Sequence, residues 1–157
     1  TLLSTTTLSG ASTTISGISG SYIDLQVVVV GVTNATGDGE FRVAINSSTG
    51  SIMSGTMGYK HGVGTFTVNG TSSGNLTLTN STPDRANSQN AYRFTIYRYA
   101  SSDANKMIAH NATWIDTDPM FFVGTSDFYS TSAITSLQFS NTGGNLTGGT
   151  VYVYGVK

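Results

Sequence analysis

Residues Ile134 to Lys157, ITSLQFSNTGGNLTGGTVYVYGVK, carry the pattern from which the rest of the chain can be read. Leu137 and Phe139 fall on one face of an extended segment, with Gln138 and Ser140 on the other. After Gly143 to Gly149, Val151 and Val153 alternate with Tyr152 and Tyr154. This two-residue period marks half-buried strands. The glycines between them permit positive φ angles and close backbone approach, so the spacing predicts a compact connection. A final strand of this kind is expected to lie in a sheet, leaving only Lys157 to fray.

The same alternation recurs upstream. Leu2 to Leu8 and Thr13 to Ile18 read as Thr/Ser/Ile-rich strands. In Tyr22 to Val32, Ile23, Leu25, Val27 and Val29 share one face; because Val28 and Val30 are apolar too, this strand is expected to be central and covered on both faces. Asn34 to Gly39 is a turn, and Glu40 to Asn46 places Phe41, Val43 and Ile45 inward. Ser47 to Gly64, punctuated by five glycines, reads as a long loop with at most a short strand. Thr65 to Asn69 and Asn75 to Thr79 are expected to form a hairpin over a five-residue loop. Ala91 to Tyr99, Lys106 to Ile115 and Met120 to Tyr129 supply three further strands, with Pro119 separating the last two.

About ten strands with almost nothing at a helical period predict an all-β fold, a jelly-roll-like antiparallel β-sandwich forming a single domain over residues 1–157. Bringing the first and last strands together hides edges that would otherwise invite aggregation. An immunoglobulin-type sandwich is the alternative, although no antibody-type hallmark marks it. The one internal similarity, Thr49 to Gly55 against Thr142 to Gly148, reads as two similar turns rather than a repeat.

Composition narrows the partners. Charged residues are 10% of the 157, against roughly a quarter in ordinary globular chains, while Thr, Ser, Gly and Asn supply about half. A net charge of −1 without a basic cluster argues against nucleic acid. The longest apolar run, Val27 to Val30, is far short of the about 20 residues that span a bilayer, so no membrane segment is expected. The absence of cysteine excludes disulfides and thiolate zinc sites. The first residues lack the pattern of a signal peptide, which a processed chain would have lost, and Thr1 is expected to be what remains after removal of an initiator Met.

Reactive groups are sparse. His61 and His110 are the only histidines, and neither a zinc-protease motif nor a serine nucleophile elbow occurs. Asp116 with Asp118 and Asp38 with Glu40 could offer oxygen ligands to calcium, but both pairs read as turn formers. No catalytic residue, cofactor or metal is therefore expected. Seven Asn-x-Ser/Thr triplets follow from composition rather than from glycosylation. The most distinctive surface is predicted on Ala91 to Tyr99. With Phe94 and Ile96 inward, Arg93, Thr95, Tyr97 and Tyr99 face outward, covered by the fold, by another subunit or by a sugar.

Both ends carry a resemblance. The polar lead-in Leu8 to Ser12, followed by Ser19-Gly20-Ser21-Tyr22-Ile23-Asp24-Leu25 and an aliphatic strand, resembles the opening of jelly-roll virion surface proteins of tailed bacteriophages. Ile134-Thr135-Ser136-Leu137, then Gly143-Gly144-Asn145-Leu146, then a strand ending Tyr154-Gly155, is similar to that family's close. The middle departs from it: Asn46 to Ile52 lacks the expected acidic and aromatic residues, and residues 51–118 take little from the family. The resemblance implies a non-enzymatic phage virion structural protein at the particle surface, a capsid decoration or cement protein binding the major capsid protein. The alternative is a tail-fibre receptor-binding domain that recognises host glycan through Tyr97, Tyr99 and Trp114. A homo-oligomer, with a trimer favoured by the resemblance, is expected to use Tyr97, Tyr99, Phe121 and Phe122 as contacts.

Overall fold

A computed structural model describes residues 1–48, 53–79, 89–114 and 119–157. Every regular element among them is a strand: β1 (Leu2–Thr7), β2 (Ser12–Ser16), β3 (Asp24–Asn34), β4 (Phe41–Ile45), β5 (Met53–His61), β6 (Thr67–Ser73), β7 (Leu76–Thr77), β8 (Asn90–Ile96), β9 (Lys106–Trp114), β10 (Met120–Phe128), β11 (Ser136–Asn141) and β12 (Leu146–Val156). They form an eight-stranded sheet in the order β1-β12-β3-β8-β9-β10-β5-β6 and a four-stranded sheet in the order β2-β11-β4-β7. All pairings are antiparallel.

The pairings nest. β1 pairs with β12 and β2 with β11, while β3 pairs with β8 and β4 with β7. One antiparallel ribbon has thus been rolled up so that successive pairs alternate between two sheets, the topology of a jelly roll. The corner is visible in the backbone. Leu8 N donates to Gly149 O at 2.9 Å and Gly10 N to Leu146 O at 2.9 Å, so the links β1–β2 and β11–β12 bend together. β12 is bulged there between Leu146 and Thr150. The glycine-rich link of residues 142–145 therefore carries the chain from one sheet to the other, and β11 and β12 do not pair. Its glycines are needed for closeness: a Cβ on Gly143 would lie 1.5 Å from the Asp38 carbonyl oxygen.

The core lies between the sheets as one continuous apolar cluster. Phe41 of the small sheet is its hinge, with its ring 4.8 Å from Tyr92 of the large sheet and 6.1 Å from Phe139 of its own. Phe41, Val43 and Ile45 are all buried, as their alternation predicts. Where β8 starts late, the Asn90 amide extends the ladder. It accepts from Val32 N and donates to Val32 O, both at 2.8 Å.

Beyond β8 the large sheet continues for four strands that the rolled ribbon does not contain, β9, β10, β5 and β6. Here the sequence reading is overturned. β5 is a nine-residue strand inside the stretch read as loop. β6 runs through residues 70–73, read as a hairpin turn, and β6 and β7 belong to different sheets. Glycine and serine mark loops on average, yet a long neighbour such as β10 pairs them residue by residue from Met53 to His61. β3 is interior to its sheet but open on its outer face, where Val30 is 37% exposed; the positive φ of Gly31 then moves Val32 and Asn34 inward.

Candidate functional site

The outer face of this extension brings together the most distinctive exposed side chains. One row runs across five strands, with Arg93 of β8 beside Asn111 of β9, Val123 of β10, Gly58 of β5 and Val68 of β6. The next row places Thr95, Ala109, Thr125 and Thr56 side by side. Small side chains at Ala109 and Gly124 leave a shallow groove of about 360 Å³, bordered by Arg93, Thr95, Asn111, Val123 and Thr125. A second hollow of about 280 Å³ adjoins it over Thr56, Gly58, Phe66 and Val68, sharing Val123, Gly124 and Thr125. The end of the Phe66 ring fills the space that a side chain at 58 would occupy: a Cβ there would lie 2.1 Å from Phe66 Cζ. This pins the ring to the sheet while leaving it 47% exposed. With its amide turned to satisfy both groups, Gln26 accepts from Arg93 Nε at 3.3 Å and holds the guanidinium over the sheet.

Of the sequence-predicted residues, Arg93 and Tyr97 are exposed. Tyr99, Trp114 and Phe122 are not, and the expectation that they form a contact surface is corrected. Arg98, with a φ of 51°, sits in the left-handed region after β8; the alternation breaks there and Tyr99 turns into the core. Its hydroxyl donates to the Ser19 carbonyl, and burial raises the phenol above the usual tyrosine range. Trp114 and Phe122 lie on the inner faces of β9 and β10, and Phe122 stacks on Tyr59 at 5.8 Å. Two-residue alternation separates Phe122 from Phe121 and Val123 but does not say which side is covered. Phe121 and Val123 are the ones that meet solvent.

The inner face of the extension buries polar groups. Lys106 is fully buried, and its ammonium donates to the carbonyls of Ala104 at 2.6 Å, Ser130 at 3.2 Å and Thr131 at 3.3 Å. Burial lowers its pKa below the usual lysine range. His110, expected to be satisfied by backbone or water, faces Ser126 Oγ at 3.5 Å through Nε2, and its Nδ1 has no hydrogen-bond partner among the described residues. Burial alone pushes its pKa down to about 4. Among the described residues no carboxylate orients this imidazole as a nucleophilic triad requires.

Of the carboxylate pairs weighed for calcium, one is described. Glu40 is held by the Arg42 guanidinium, with Arg42 Nε donating to Glu40 Oε2 at 2.7 Å, and Asp116 and Asp118 lie outside the described residues. No group of three His, Cys, Asp or Glu side chains able to hold a metal occurs among the described residues. Among the sequon asparagines, Asn46 adopts a φ of 52° and its amide ties β4 to the segment before β11, accepting from Thr135 N at 2.8 Å and donating to Ala133 O at 2.8 Å.

Sequence reading missed Phe66 and Asn111 as site residues. Phe66 lies beside the stretch read as loop, and Asn111 was met only as a sequon in a strand. The signal that marks them is a strand glycine beneath an exposed aromatic, visible only once β5 is paired with β6 on one side and β10 on the other. No protein-family model, curated protein sequence or solved structure matches this chain.

Proposed function

We propose that this chain is a non-enzymatic structural protein of a tailed-phage virion, a decoration or cement subunit that seats on the head shell and bridges neighbouring shell subunits. One observation carries the reading. The two segments that resemble phage virion surface proteins, residues 8–31 and 134–156, are a single unit in space: β2 pairs with β11, and β12 lies between β1 and β3. The resemblance therefore falls on one side of the roll, and the departing residues 51–118 contribute three of the four added strands of the large sheet, β5, β6 and β9. A surface poor in charge and rich in hydroxyls suits attachment by area rather than by ion pairs.

Particles assembled without this protein should lose their contents at a lower temperature than complete ones, and labelled antibody against the chain should decorate heads. Label confined to tails, or unchanged heat resistance, overturns the reading. Self-association is proposed as a trimer formed through the end of the large sheet where Tyr97 and Met107, 42% and 64% exposed, are backbone neighbours. Light scattering of the purified chain checks it. The double change Tyr97→Ser with Met107→Ser should leave a monomer, and an oligomer that survives it is held elsewhere.

A further inference from the structure

We propose that the outer face of β8, β9, β10 and β5 is a binding site for an acidic oligosaccharide, with a sugar carboxylate on Arg93 and a pyranose ring against Phe66. Four observations point to that chemistry. Among the described residues Arg93 is the only charged one lining either hollow and no carboxylate borders them, so a ligand bearing negative charge is complemented rather than repelled. Its guanidinium is already positioned by Gln26, which lowers the ordering cost of a bidentate pair. The side chains of Thr95, Asn111 and Thr125 make no hydrogen bond to other described residues, leaving uncharged donors and acceptors aimed at the groove. Phe66, held in place over Gly58, offers an apolar surface for the C–H face of a sugar.

The geometry disfavours the other extended ligand, a peptide strand. β8, β9, β10 and β5 are each paired on both sides, so their backbone groups are used and an added strand finds no ladder to join. Recognition on this face must come from side chains, and a hydroxyl-rich ligand suits a floor of threonine, asparagine, alanine and glycine. From Arg93 to Gly58 the row crosses three inter-strand spacings, about 14 Å at about 4.8 Å each, which is the reach of a short oligosaccharide rather than of one sugar.

The site does not depend on where the chain sits on a particle and can be tested on the purified protein. A glycan array carrying uronic-acid and sialic-acid oligosaccharides beside neutral counterparts should retain the chain on acidic members, with titration calorimetry on the best of them. Phe66→Ala should weaken binding at least tenfold, and Arg93→Ala should remove the preference for acidic over neutral glycans. Gly58→Ala keeps every lining side chain but displaces the Phe66 ring, and should weaken binding as Phe66→Ala does. Val30→Ser, on the same face outside the groove, should change nothing. The proposal is overturned by an array blank for every acidic member, or by binding unchanged in Phe66→Ala and Arg93→Ala proteins that melt like wild type.

Discussion

The rolled half of the molecule and the extension of its large sheet use the same alternation but resolve it differently. In the roll, inward residues from two facing sheets meet each other, as Phe41 meets Tyr92 and Phe139, and the buried Asn90 amide is closed off by Val32, with Asn141 Nδ2 the buried polar atom there that has no hydrogen-bond partner among the described residues. In the extension the buried face holds Lys106, Ser126 and the Nδ1 of His110 and Nε1 of Trp114, neither with a hydrogen-bond partner among the described residues, while the open face carries Phe66, Val68, Phe121 and Val123 at solvent. The extension tolerates polar groups inside and apolar groups outside, the pattern expected where a surface is kept for contact.

The largest effect should come from the residue that joins the sheets. Phe41→Ala removes both ring contacts and leaves a cavity between the layers, at a cost of about 3–5 kcal/mol in urea unfolding. A cost below about 1 kcal/mol would mean that the roll is not held together at this point.

Acid should act through the extension. The folded pKa of His110, about 4, lies below its ordinary value near 6.5, so the unfolded chain takes up the proton first. Stability contributed by the neutral imidazole is present above about pH 6.5, falls as pH drops towards 4 and levels below it, a total of about 3 kcal/mol. Unfolding at pH 7, 5.5 and 4 should show this slope in the wild type and a shallower one in His110→Gln; equal slopes would place the acid sensitivity elsewhere.

Asn90→Ala should cost less, about 1–3 kcal/mol, because it orphans the Val32 N–H and carbonyl at the end of the ladder. Amide exchange at Val32 should rise with it. The smallest effect belongs to the open face. Phe121→Ser should shift stability by no more than about 0.5 kcal/mol, whereas Phe122→Ser, one residue along, should destabilise strongly. Equal losses from the two would erase the distinction between covered and open faces.

Much of the roll was legible because alternation is a local property. Leu137 with Phe139 and Val151 with Val153 read as inward from spacing alone, and all four are buried. The meeting of the first and last strands was legible from the need to hide edges, and β1 does pair with β12. The outward placement of Arg93 and Tyr97 was legible, and that of Phe66 over Gly58 was not. β5 is rich in glycine and serine, and its strand character comes from the partner it pairs with rather than from its own propensity.

The sequence by itself determined the strand class, the inward set of the roll and the neutral, hydroxyl-rich surface, since all three follow from residue type and a period of two. Only the tertiary structure decided that the glycine link of residues 142–145 crosses between sheets, that Tyr99 turns inward behind Arg98, and that Phe122 is covered while Phe121 is not. The reason is physical: a strand presents two faces of equal standing, and which one loses its water depends on strands paired far away in the chain.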